Sequence, residues 1–321
     1  MNAVSVICST GIRLINRVVK RSFWYQELFS ASYNRQTPLE LSWAKNSPRN
    51  FEYLALGSTA AFWGIDFNSV GANGINWAGQ QQKMEFDYRL LKTCHSFLRS
   101  GGRVIFTICP FSSINSPETV LGTLKYLKMF QYPQLVLRKD LYQQALRIAN
   151  NPLLLGKDAL CAAFRVLLHK DRPRRLDERS QREDNDMSSD ELKTDAERWM
   201  AGWKSEFGIA NLDEPLTEQN EFGRHYKVFL MERMLSFCFD RGYEPIIVVL
   251  PVSKVLADQF SEKAYDNYIS SYLNFFAHRV RLLNYFRHEA FRDSSLYFNS
   301  FFLNRKGRQL FTARLLSDIA I

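Results

Sequence analysis

Three short apolar runs, Phe51–Gly57, Arg103–Cys109 and Ile246–Leu250, punctuate this chain, and each is too short to form a core helix. Runs of this length, rich in β-branched and aromatic residues, read as strands buried on both faces. Between them apolar residues recur at helical spacing, as in Phe86, Leu90, Cys94 and Phe97 or Tyr226, Leu230, Met234 and Phe237. Strands alternating with amphipathic helices bury both faces of a sheet when the sheet is parallel and helices cover it. The expectation is an α/β fold, a three-layer αβα sandwich with a central, mostly parallel five-stranded sheet. Gly74–Ala78 supplies a short second strand and Arg279–Tyr285 the last one. Gly101-Gly102 is read as the stop of the helix before the third strand, and Arg305–Asp318 as a closing helix.

With 321 residues, 46% of them hydrophobic, the chain can bury a full core. The expected organisation is an N-terminal basic arm over 1–50 and one domain over 51–321, interrupted by a helical, charged insertion at about 139–222. The middle of that insertion, Lys170–Arg198, mixes charges of both signs and reads as a solvated loop. Trp199, Trp203 and Phe207 then follow at helical spacing, as packing residues or as a lid over the strand ends.

Several function classes are excluded at this level. No run of eighteen apolar residues exists, and Pro245–Val252 is short and flanked by proline, so no membrane span is expected. Arg13 and Arg17 interrupt the N-terminal apolar stretch, which makes a poor signal peptide. The five cysteines are scattered and never paired as C-x-x-C, which points to a reducing, cytoplasmic setting without a zinc site. No metal or cofactor is called for. The net charge of +9 comes without a nucleic-acid motif, so no nucleic-acid partner is expected. Residues 1–50 carry seven Lys and Arg against two acids, and Ile7, Leu14, Ile15 and Val18 fall near one helical face. That pattern suits a helix lying on an anionic membrane surface, as in a peripheral membrane scaffold; the blander alternative is a helix packed on the body of the domain.

Leu56-Gly57-Ser58-Thr59 after the first strand, Asn76-Trp77-Ala78-Gly79-Gln80 after the second, and Phe302-Leu303-Asn304-Arg305-Lys306-Gly307 near the end occur in an order and spacing that resembles the SGNH (GDSL-like) hydrolases. The nearest type is a divergent branch associated with surface-polysaccharide biosynthesis and acylation. The resemblance covers about 51–138 and 223–321. It implies a flavodoxin-like sheet, a nucleophile at Thr59 beside Ser58, and an oxyanion and binding region at Gly57, Gly79 and Asn76. The third block offers only Asn115, displaced beyond Pro110-Phe111-Ser112-Ser113.

The family's Asp-x-x-His pair falls on Asn299 and Phe302. A phenyl ring cannot accept a proton, so the attacking hydroxyl lacks its base at that position, which typically removes about 10²–10⁴ of rate. Among the histidines, His225 and His288 are the candidates for a substitute base, and Asp293 is a displaced acid. The leading expectation is a catalytically degenerate SGNH-like protein that binds a glycan or an acylated carbohydrate in capsular or exopolysaccharide assembly or modification. The alternative is an active carbohydrate esterase or O-acyltransferase with a rearranged site.

Overall fold

The computed structural model of the chain describes residues 3–28, 50–114, 139–172 and 176–320, together with Val120 and Leu124. The principal helices, in chain order, are α1 (Ala3–Arg21), α2 (Phe23–Leu28), α3 (Thr59–Gly64), α4 (Met84–Cys94), α5 (Lys139–Asn150), α6 (Lys157–Leu167), α7 (Ser189–Phe207), α8 (Glu218–Phe239) and α9 (Arg305–Ala320). The strands are β1 (Phe51–Leu56), β2 (Gly74–Asn76), β3 (Leu98–Ile108), β4 (Glu244–Val249) and β5 (Arg281–Asn284).

The chain divides into two compact units, one of residues 1–35 with 118–175 and one of 36–117 with 176–321. The insertion expected as a single block at 139–222 is therefore split near residue 175. Its first part joins the N-terminal arm, and its second part belongs to the unit that holds the sheet.

That second unit carries the α/β sandwich. Its five strands are all parallel, in the order β2-β1-β3-β4-β5. Leu54, Ala55, Val104, Ile105, Ile246, Ile247 and Val248 are fully buried, as continuous apolar strands covered on both faces should be. The chain leaves β1 to one side to make β2 and then crosses to the other side for β3. Such a reversal leaves a crevice at the carboxyl ends of β1 and β3, where open parallel sheets bind ligands.

Two local expectations are corrected. Gly101-Gly102 lie inside β3, because the preceding helix has already ended in a 3-10 turn at His95–Phe97. Phe51 pairs with Leu98 but Tyr53 pairs with Arg103, so the glycines sit in a bulge of the strand. The charged run 170–198 is also largely ordered where described. Leu176–Ser180 is helical, and α7 starts with a capping box between Ser188 and Glu191, which satisfies two otherwise unpaired backbone donors.

In the first unit, Val19 of α1 packs on Ala159 and Ala163 of α6, with Trp24, Tyr25, Leu153 and Leu155 around them. Alanines at the contact let the helix backbones approach closely. Asn16 of α1 donates from Nδ2 to Asn151 Oδ1 at 2.9 Å, and the Tyr25 hydroxyl donates to the Ala149 carbonyl at 2.9 Å. In this contact α1 packs on a helix of the expected insertion, inside the first unit. No described helix is long and apolar enough to cross a membrane.

Helix α9 locks onto the loop before it. Asn304 accepts a hydrogen bond from the Gly307 N–H at 2.9 Å, and a Cβ added at Gly307 would lie 1.9 Å from the Leu296 carbonyl oxygen. Helix propensity alone favours Gly→Ala by about 1 kcal/mol. Here a backbone atom stands in the way, and overpacking of this kind costs about 1–3 kcal/mol. Gly307→Ala should therefore lower the urea midpoint, whereas Gly202→Ala in α7, where nothing lies within 4 Å, should leave it unchanged or raise it.

Candidate functional site

The crevice at the sheet's point of reversal is an open, polar cleft with about 30 Å³ of enclosed space, lined by Gly57, Ser58, Gln82, Lys83, Met84, Asp87, Thr107, Ser112 and Lys227. Its floor is the end of β1. Gly57 turns there with a φ of 145°, and a Cβ on it would meet Thr107 Oγ1 at 1.8 Å, so only glycine lets β1 and β3 come this close. Thr107 Oγ1 fills the space by donating to the Leu56 carbonyl at 2.8 Å.

The next residue, Ser58, is the N-cap of α3, and its hydroxyl makes no cap bond. It lines the cleft, with the half-buried Cys109 sulfur 3.9 Å away. Cys109 is in turn 3.0 Å from the Ser112 hydroxyl, and burial pushes its thiol pKa up, which keeps the sulfur a neutral thiol. Thr59, the position that resembles the family nucleophile, is not among the lining residues. Its Oγ1 accepts the Gln81 N–H at 2.8 Å. Of the two candidate hydroxyls, Ser58 is the one in the cleft.

Asp87 closes the wall. Its Oδ1 accepts the Gly57 N–H at 3.1 Å and Gln82 Nε2 at 2.6 Å. Gln82 is itself held by donating to the Trp77 carbonyl. Burial pushes the Asp87 carboxyl up to about 7, and the two hydrogen bonds only partly oppose it. Beneath it Lys227 Nζ lies 3.2 Å from Glu85 Oε2, with both side chains almost fully buried. Burial lowers the Lys227 pKa, opposed by the Glu85 charge and hydrogen bond. Lys83 at the start of α4 is lowered for the same first reason, with the Lys227 charge adding to it.

The other expected positions serve the fold. The Gly79 N–H donates to the Gly57 carbonyl at 3.2 Å. Asn76 donates to the Ala61 and Ile65 carbonyls and accepts from the Ala78 N–H, which ties β2 to α3. Asn299 accepts the N–H groups of Phe301 and Phe302 at 2.9 and 2.7 Å. Phe302 is buried, with ring contacts to Trp199, Phe298 and Phe301 at 5.5, 5.7 and 4.5 Å. Phe207 stacks on Phe111 and Trp203 meets the same ring at a tilt, so the aromatic positions of α7 are packing residues.

Neither substitute base reaches the cleft lining. His225 is exposed on α8, two residues from the buried Lys227 and so on the other side of the helix. His288 accepts from the Ala290 N–H and lines a separate cleft with Lys254, Asp258 and Arg287. Asp293 caps a 3-10 turn through Ser295. Asn115 lies outside the described residues.

Sequence reading missed Gln82, Asp87, Glu85 and Lys227. One signal was available: Lys227 falls on the buried stripe of α8 with Leu230, Met231, Met234, Leu235 and Cys238, a place where a lysine needs a partner. The stripe expected through Tyr226 and Phe237 is rotated to this one, and those two rings are half-buried. Among the described residues no group of His, Cys, Asp and Glu could hold a metal ion. Comparison with known proteins finds no family model that matches the chain and no curated protein that matches it.

Two outcomes follow. A carboxyl with a raised pKa keeps its proton in the folded state after the unfolded chain has lost it, so between about pH 4 and pH 7 stability falls as pH rises. Asp87→Asn should flatten that dependence and stabilise the protein above the window by up to about 4 kcal/mol, measured by denaturant melts across pH. Lys227→Met leaves Glu85 buried without its cation and should cost about 3–5 kcal/mol. Adding Glu85→Gln to it should recover part of the loss in the same melts.

Proposed function

We propose that this chain is a divergent SGNH-like protein without a hydrolytic base, whose cleft at the ends of β1 and β3 binds a glycan or acylated carbohydrate during surface-polysaccharide assembly or modification. The observation that carries this reading is the fate of the base position: Phe302 is buried among aromatic rings, and the cleft is lined by hydroxyl, amide, carboxyl and amine groups with no histidine. Ser58, Thr107, Ser112, Gln82 and Asp87 offer donors and acceptors at the density a hydroxylated ligand requires. The enclosed part of the cleft holds about 30 Å³, so it would grip one substituent of a longer chain, such as a hydroxyl or the end of an acyl group, with the rest of the ligand lying across its open mouth. The pathway rests on the resemblance of the motifs.

One observation favours a second reading, an esterase or O-acyltransferase with a rearranged site. Asp87 shares the cleft with Ser58, and its carboxyl sits near neutrality, where a general base works best.

The readings separate in one assay, hydrolysis of a small activated acetyl ester by wild type, Ser58→Ala, Thr59→Ala and Asp87→Asn. The expected result is no saturable turnover and no difference between wild type and variants. Turnover lost in Ser58→Ala and Asp87→Asn would favour the second reading. For binding, titration calorimetry with acetylated and unacetylated oligosaccharides should find a ligand for wild type that Ser58→Leu, which fills the cleft mouth, no longer takes. Failure of every glycan to bind would overturn the glycan assignment.

A further inference from the structure

The unit formed by residues 1–35 and 118–175 differs in surface chemistry from the rest of the chain. It holds sixteen Lys and Arg against five Asp and Glu, a net charge of +11, whereas the other 228 residues hold 26 against 28. The whole positive balance of the protein resides in this one unit. Among the described residues the unit also carries nine of the fourteen exposed large hydrophobic side chains, in fewer than a third of the residues.

These side chains are ordered by the helices that bear them. On α6, Ala159, Ala162 and Ala163 are buried, while Leu160, Phe164, Leu167 and Leu168 form a second apolar stripe with spacings of four, three and one. Phe164, Leu167 and Leu168 are each more than 60% exposed. Helix α1 packs against α6 through Val19, and its Leu14 and Ile15 remain exposed. Arg13, Arg17, Lys20 and Arg21 occupy an arc of α1 that borders Leu14 and faces away from Val19, and all four are exposed. Scattered apolar side chains on a surface mean little. An apolar helix face beside a concentrated excess of cations is the pattern of an element lying in the interface of an anionic bilayer.

We propose that this unit docks on a bilayer containing anionic phospholipids, inserting the α6 stripe among the acyl chains while the cations of the unit meet the headgroups. A second copy of the chain is the poorer occupant, because two surfaces at +11 repel each other. Nucleic acid would use the cations but leave the apolar stripe in water. A cation held near an anionic bilayer strengthens binding about five-fold, so the charge excess adds strongly to an apolar insertion that is weak by itself. The inference does not depend on what the sheet's cleft binds.

The test is flotation of the full chain with vesicles of phosphatidylcholine alone or mixed with phosphatidylglycerol. The protein should float with the mixed vesicles, stay behind with the neutral ones, and be released as salt is raised. Phe164→Glu/Leu168→Glu and Arg13→Glu/Arg17→Glu should each lower the bound fraction about ten-fold or more. All four positions are exposed, so thermal melts should match wild type and keep a loss of flotation separate from misfolding. Absence of flotation with anionic vesicles, or flotation that both variants retain, would overturn the proposal. Self-association of wild type that Phe164→Glu/Leu168→Glu abolishes, without flotation, would overturn it in favour of a second copy. Retention on RNA or duplex DNA without flotation would overturn it in favour of nucleic acid.

Discussion

The contact between Gly57 and Thr107 sets the geometry on which the candidate site depends. Where β1 ends, the neighbouring strand places a threonine hydroxyl in the space a side chain would need, and that hydroxyl is fixed on the carbonyl just before the glycine. The chain can turn there only as glycine, and the turn presents its N–H to Asp87 and delivers Ser58 to the cleft. Had the strands stood farther apart, the crevice at the reversal of strand order would have had no defined floor. The chemistry of the cleft therefore begins as a steric fact about two adjacent strands.

A second layer of constraint is electrostatic. Glu85 and Asp87 come from α4, and Lys227 comes from α8, so the buried pair joins two helices that the sequence separates by 142 positions. A buried ion pair contributes little net stability, because both charges are desolvated, yet removing either member is costly. Its effect is to fix register: α4 cannot slide on α8 without stranding a charge. That rigidity holds Asp87 in a dry environment and accounts for a carboxyl near neutrality.

The sheet was legible in the sequence because strands buried on both faces must be continuous apolar runs, and β1, β3 and β4 have no other reading. The helix stop at Gly101-Gly102 was misjudged because glycine serves a strand bulge as readily as a helix end, and composition does not distinguish the two. The turn after β1 was legible from Gly57-Ser58-Thr59, but which hydroxyl faces the cleft depends on the Gln81 N–H, a partner 22 residues away from Thr59. Asp87 was invisible for a related reason: its environment is made by Gln82, by Gly57 and by a helix far downstream. The split of the insertion near residue 175 was hidden as well, since the alanines of α6 that receive Val19 look like ordinary helix formers.

Phe302 has a consequence for which side chains its position can hold. Its ring meets Trp199, Phe298 and Phe301, while the adjoining Ser300 is held through its N–H and hydroxyl by Asp195 of α7 and through its carbonyl by Ser253. An imidazole at this place would give up aromatic contacts and bury a ring nitrogen away from water. Phe302→His therefore gives a less stable protein unless the residues of α7 packed on it change as well. The helix laid over the last loop thus makes the aromatic ring part of the packing that holds α7 in place.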